Sequence, residues 1–207
     1  RHGLAAEGKV HASVASFNNH WGVPLSLARL PRDARFAIFE IGMNHPGEIR
    51  PLVKLVRPNL AIITLIAPAH LGHFRDLDEI AEAKAEIFEG LVSDGTAILN
   101  ADDPQCGPLA TMARKAGVTE IRTFGESAGA DFRLLSFAPT GEHSVMEADI
   151  GGDTVHVELT SRGRHMAQNV LAVLGAASLA HADLHRVADA LKDWRAVKGR
   201  GGRDLLP

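Results

Sequence analysis

Four short runs, three of them mostly apolar, restrict the fold of this chain more than any other feature. They span 36–41, 60–66 (LAIITLI), 96–100 (TAILN) and 120–125 (EIRTFG). A strand that is apolar almost without interruption must be covered on both faces, as in a parallel sheet flanked by helices. Segments with helical apolar spacing accompany them, at 22–30, 47–56, 77–92 and 105–116. This alternation predicts an α/β fold with a mostly parallel sheet. Such sheets bind ligands at the carboxyl ends of their strands, so residues just past each run are the candidates for chemistry.

Between 131 and 160 the texture changes. DFRLLSF, SVMEADI and TVHVELT nearly alternate and are separated by PTGEH and GGD, which predicts a small antiparallel β meander appended to the main sheet. Helical spacing returns at 165–180 and 184–194. At the other end, LAAEGKVHASVAS reads as the last turns of a helix, a stop at Gly8 and a short strand from Val10. Residues 1–200 therefore read as one domain, with 201–207 as the start of a linker toward another.

Composition narrows the functional classes. The formal net charge of −3 provides no basic field for nucleic acid, so an anionic ligand would have to be held by local contacts. The one cysteine, Cys106, rules out an internal disulfide framework and suits a reducing, cytoplasmic compartment. No apolar run approaches the ~18 residues of a membrane span.

Glu40 ends the first apolar run, ahead of Gly42, Asn44, His45 and Pro46. A carboxylate at a strand end is a candidate Mg²⁺ ligand, since that ion takes hard oxygen donors; the alternative is a solvated acid capping the next turn. His70, after 60–66, could ligate a metal or orient a carboxylate, or be structural. Asp76 and Glu79 form a capping box that starts the helix at Leu77. Lys84 then falls on the stripe of Leu77, Ile80, Ala81, Ile87, Phe88 and Leu91. A lysine taken out of water must pair, snorkel or lose its proton, and a neutral amine can add CO₂ to become a metal-binding carbamate. Asn100 heads NADDP: its amide could serve a purine's donor and acceptor, or simply form a turn. His165 and Asn169, four residues apart near a helix start, would share one face, either at a polar ligand or in capping.

In order along the chain, ASFNNHWGVPLSL, FEIGMNHPGEI, AHLGHF with AKAEIF, ILNADDP and GRHMAQNVLAV resemble the central domain of the Mur ligases, over nearly the whole length. The NNxxGxPL and EIGMNHPGEI stretches are most similar to the member that joins D-alanyl-D-alanine to UDP-N-acetylmuramoyl-tripeptide. The resemblance implies an ATP- and Mg²⁺-dependent amide-bond ligase of peptidoglycan synthesis, working through an acyl phosphate. Carried over residue by residue, Glu40 and His70 would bind Mg²⁺ and Lys84 would be the carbamylated lysine. Asn100, His165 and Asn169 would contact the nucleotide, and Asn18 and Asn19 the muramoyl-peptide.

There are departures. Met166 stands where the family commonly has Asn, and Gly72 where an acid is frequent. The family's phosphate-binding loop, ending Gly-Lys-Thr, does not occur in these residues and is expected just before residue 1. An amino-terminal UDP-binding domain and a carboxyl-terminal closing domain are expected beyond the two ends, so this piece alone is expected to be inactive. Alternatives are another ligase built on the same domain, such as folylpolyglutamate synthase or another Mur ligase, or a non-catalytic remnant.

Overall fold

The computed structural model describes residues 1–14, 17–68 and 74–195. A 3₁₀ turn at Gly3–Ala6 leads into β1 (Val10–Ala12), α1 (Gly22–Ala28), β2 (Phe36–Ile38), α2 (Ile49–Val56) and β3 (Leu60–Ile63). Then come α3 (Leu77–Ala85), a 3₁₀ segment (Glu86–Gly90), β4 (Thr96–Asn100), α4 (Cys106–Lys115) and β5 (Glu120–Gly125). The chain ends in β6 (Phe132–Thr140), β7 (His143–Ile150), β8 (Asp153–Leu159), α5 (Arg164–Leu179) and α6 (Leu184–Leu191). The linker read at 201–207 lies outside the described residues.

The main sheet has the order β3-β4-β5-β6-β7-β8. Pairing is parallel from β3 to β6 and antiparallel from β6 to β8. The α/β expectation and the meander are both realised, and the meander continues the main sheet through β5–β6 pairing at Phe124–Phe132. In β4 every residue is buried. Ala97 and Leu99 face a cluster with Ile80, Ala81 and Leu109 of α3 and α4, whereas Ile98 faces Leu171 and Leu174 of α5. Period-two alternation under helices on both sides is the physical reason such a run is apolar throughout.

One gap separates strands that follow each other in the chain. β2 and β3 are consecutive strands joined through α2, yet among the described residues β2 pairs only with β1 and β3 only with β4. Ile62 of β3 and Leu65 just beyond it are 36% and 54% exposed, and Ala37 of β2 is exposed too. Bare parallel edges carrying apolar residues and no charge are unusual for a finished sheet, which normally pairs, covers or charges its edges.

Elsewhere the elements are shorter than their sequence patterns. The strand read at 36–41 pairs only through Ile38, leaving Glu40 beyond the ladder. The helix read at 77–92 stays α-helical only to Ala85 and tightens to 3₁₀ over Glu86–Gly90. Two contacts account for that change. Glu86 turns inward to α2, and Gly90 lies so close to Val53 that a Cβ there would approach its carbonyl to 2.6 Å.

Candidate functional site

Glu40 sits two residues past β2, and the structure brings Asn18 to it. The Asn18 Nδ2 donates to Glu40 Oε1 at 3.0 Å, and the Gly42 amide donates to the Asn18 carbonyl at 2.8 Å. A Cβ on Gly42 would lie 2.8 Å from the same Nδ2. The glycine after the strand is therefore the space in which the Asn18 amide stands while it holds the carboxylate. Asn19 plays a different part. Its Oδ1 accepts from the Trp21 and Gly22 amides at 3.1 and 2.9 Å, closing the turn into α1.

The following loop is fixed from two directions. Glu48 accepts from the Asn44 amide at 2.7 Å and from the His45 amide at 3.3 Å. The Asn44 bond is the main reason its carboxyl is held below the ordinary range. From below, Glu86, 7% exposed, accepts from the Gly47 amide at 2.6 Å and the Arg50 amide at 3.0 Å. The Arg50 amide is an orphan donor in the first turn of α2, and the Gly47 amide stands just ahead of the N-cap, Glu48; an acid about forty residues away in sequence satisfies both. The sequence reading passed over Glu86; its one signal is its place among the buried Ala83, Ala85 and Phe88.

Lys84 lies on the last turn of α3, half-buried, while Leu77 of the same stripe is 39% exposed. Desolvation lowers the Lys84 pKa, with no compensating charge or hydrogen bond among the described residues. Its amine is thus biased toward the neutral form that the carbamate chemistry requires. His70 lies outside the described residues. Among the described residues no group of three or more His, Cys, Asp or Glu side chains is placed to hold a metal ion. Glu40 supplies the hard oxygen donor that Mg²⁺ prefers, and that ion commonly completes its shell with water and phosphate oxygens.

Asn100 is 7% exposed and works as a tie. Its Nδ2 donates to the Thr64 carbonyl at 2.9 Å, and its Oδ1 accepts from the Asp102 amide at 2.9 Å. Asp103, also buried, accepts from the Ile66 amide at 2.6 Å and the Gln105 amide at 2.8 Å. NADDP is therefore a turn that staples the carboxyl ends of β3 and β4 together. His165 and Asn169 are both exposed on the first turns of α5, whose N-cap, Gly163, offers no side chain to the leading amides.

Of the candidate residues, the structure joins Asn18 to Glu40 by a hydrogen bond, whereas Lys84 stands on α3 and His165 and Asn169 at the start of α5. Residues 1–177 match the model of the Mur ligase middle domain. The chain belongs to the Mur ligase family. It is 36% identical over 192 residues to the UDP-N-acetylmuramoyl-tripeptide–D-alanyl-D-alanine ligase of Rickettsia prowazekii, covering 93% of this chain and 43% of that protein. Against the ligase of the same name from Escherichia coli it is 33% identical, covering 95% of this chain and 43% of the relative. The crystal structure of MurF from Acinetobacter baumannii superposes with a TM-score of 0.88 at 28% identity, covering 95% of this chain and 42% of that one. The chain thus spans about two fifths of the length of these Mur ligase relatives.

Proposed function

We propose that this chain is the middle domain of an ATP-dependent ligase that joins D-alanyl-D-alanine to UDP-N-acetylmuramoyl-tripeptide, a cytoplasmic step of peptidoglycan precursor synthesis. Residues 1–200 would form that domain, and 201–207 would lead to the next. The Asn18–Glu40 pair carries the reading, because it orients a carboxylate at a strand end beside the open edge of the sheet. The bare edges of β2 and β3 would accept a further strand from the rest of the polypeptide, leading into a phosphate-binding loop.

Glu40 would hold Mg²⁺ near the β- and γ-phosphates, His70 would bind a second Mg²⁺, and Lys84 would be the carbamylated lysine. The bound metal would neutralise the charge that builds up as the substrate carboxylate meets the γ-phosphate. That carboxylate oxygen attacks the γ-phosphorus and ADP departs, leaving an acyl phosphate. The amine of D-alanyl-D-alanine then attacks the acyl carbon, phosphate leaves and the amine loses a proton. His165, Asn169 and Asn100 would face the nucleotide, and Asn18 and Asn19 the muramoyl-peptide side. Without the other domains, the 207-residue piece is expected to be inactive.

The test uses the full-length parent with ATP, Mg²⁺, UDP-N-acetylmuramoyl-tripeptide and D-alanyl-D-alanine, reading phosphate release. Glu40→Ala should lose at least ~100-fold in turnover, as expected when a charge-stabilising group is removed. Gly42→Ala should lower activity by displacing Asn18. Wild-type turnover in Glu40→Ala, or glutamate addition to folate in place of this reaction, would refute the proposal.

A further inference from the structure

A chain of side-chain hydrogen bonds runs along the carboxyl edge of the sheet, from β3 to α5. It begins with the Asn100 bonds to the Thr64 carbonyl and the Asp102 amide. The Asp102 carboxylate then accepts from the Glu126 amide at 2.7 Å, the Ser127 amide at 3.1 Å and the Ser127 hydroxyl at 2.6 Å. Burial pushes the Asp102 pKa up, but these bonds outweigh burial and leave it below the ordinary value. Glu126 in turn receives Arg164 in a two-pronged pair, Nε to Oε1 at 2.8 Å and a second prong to Oε2. The Gln168 amide reaches the same Oε1 at 3.5 Å.

The positions along α5 matter. Arg164 and Gln168 are four residues apart, one stripe of the helix, and both reach Glu126. His165 and Asn169 are each one residue further, so their stripe is turned about 100° from the clamped one. Fastening the first stripe steadies the direction in which the second points. Arg164 is also seated over the Phe137 ring, 5.7 Å from guanidinium carbon to centroid, which holds the clamp from the meander side. An isolated exposed ion pair contributes little. This one ends a continuous relay through three strand ends, and its carboxylate backbone is itself held by Asp102.

We propose that Glu126 is a positioning residue for nucleotide binding: the buried face of α5, from Ala167 to Ala177, sets the helix against the sheet, and Glu126, through Arg164 and Gln168, fastens its first turn and thereby steadies His165 and Asn169 relative to Asn100. This rests on the reading of the site given under Proposed function. Glu126 need not touch the nucleotide.

Two readouts separate the two ideas. In the full-length parent, Glu126→Ala should raise the KM for ATP and the Kd for Mg-ADP about tenfold, the scale of one lost charge-assisted interaction. Turnover at saturating ATP should stay within about threefold. The exchange Glu126→Arg with Arg164→Glu should recover most of the affinity, which a general loss of folding would not allow. In the 207-residue chain, Glu126→Ala should speed amide exchange across 164–170 while β4 stays protected. Unchanged exchange in α5, or unchanged Mg-ADP affinity beside a binding wild type, would overturn the inference. Faster α5 exchange in a protein whose wild type binds no Mg-ADP would keep the positioning role and remove the nucleotide reading instead.

Discussion

Removing the Glu86 carboxylate tests whether a buried acid far along the chain holds the loop beside the candidate metal ligand. Glu86 is 7% exposed and accepts from the Gly47 and Arg50 amides at 2.6 and 3.0 Å. Hydrogen bonds to a charged group contribute about 1.5–3 kcal/mol each. Gly47 and Arg50 are themselves exposed, so water recovers part of the loss in Glu86→Ala and the two bonds together should cost about 3 kcal/mol. At roughly 2–4 °C per kcal/mol for a domain of this size, Tm should fall by roughly 6–12 °C. Glu86→Gln keeps one acceptor oxygen but turns an amide donor toward a backbone N–H, and should fall about half as far. The control is Glu89→Ala, whose carboxylate meets Arg50 and Lys54 at the surface and should move Tm by under about 2 °C. Thermal melts by circular dichroism decide it, with amide exchange at Gly47 and Arg50 as the local readout. If Glu86→Ala melts together with Glu89→Ala, and those two amides exchange as in wild type, the capping argument is refuted.

Lys84→Met should raise Tm at pH 7, because it removes a desolvated ammonium, and should abolish turnover in the full-length parent. The folded pKa of Lys84 is lowered, so as pH climbs toward the ordinary lysine value the unfolded chain binds more protons and wild-type stability rises; the Lys84→Met advantage should shrink over that window, and a constant difference from pH 7 to about 11 would contradict the burial argument. Asp131 accepts from the Thr123 amide and hydroxyl, both at 2.8 Å. Burial pushes its pKa up, but the Thr123 bonds and Arg122 outweigh burial and hold it low. Its contribution to stability is then present above the ordinary carboxylate range and lost as pH falls through the folded value. Melting from pH 7 to pH 3 should show a shallower acid decline in Asp131→Asn than in wild type; parallel curves would count against it.

The sheet was legible because its signal is additive: apolar runs at 36–41, 60–66 and 96–100 with helical spacing between them leave little choice, even though EIRTFG is mixed and β5 is only partly buried. Element ends were less legible. Ile38 ends its ladder because no described strand pairs beyond it, and α3 tightens after Ala85 because Glu86 and Gly90 answer to α2. Local spacing carries no information about such a distant partner. The site shows the same division. Glu40 could be singled out from its position after a strand, but its pairing with Asn18, twenty-two residues earlier, is tertiary. NADDP looked like a turn or a purine contact, and the turn accounts for most of its polar atoms. Asp102 and Glu126 gave no sequence signal, because a relay through three strand ends has no spacing to recognise.

The acids divide by what they hold, and that division sharpens the functional reading. Glu48, Glu86, Asp102, Asp103 and Asp131 each accept from backbone amides of a neighbouring segment, which ties them to the native fold and explains their placement without any ligand. Glu40 takes the side-chain amide of Asn18 and stands exposed beyond its strand. Asp103 could not leave Ile66 without orphaning a buried amide. Glu40 lies past a strand end, where α/β sheets present groups to ligands. On that placement and its exposure, Glu40, rather than the buried Glu86 or Asp103, is the carboxylate we propose for Mg²⁺.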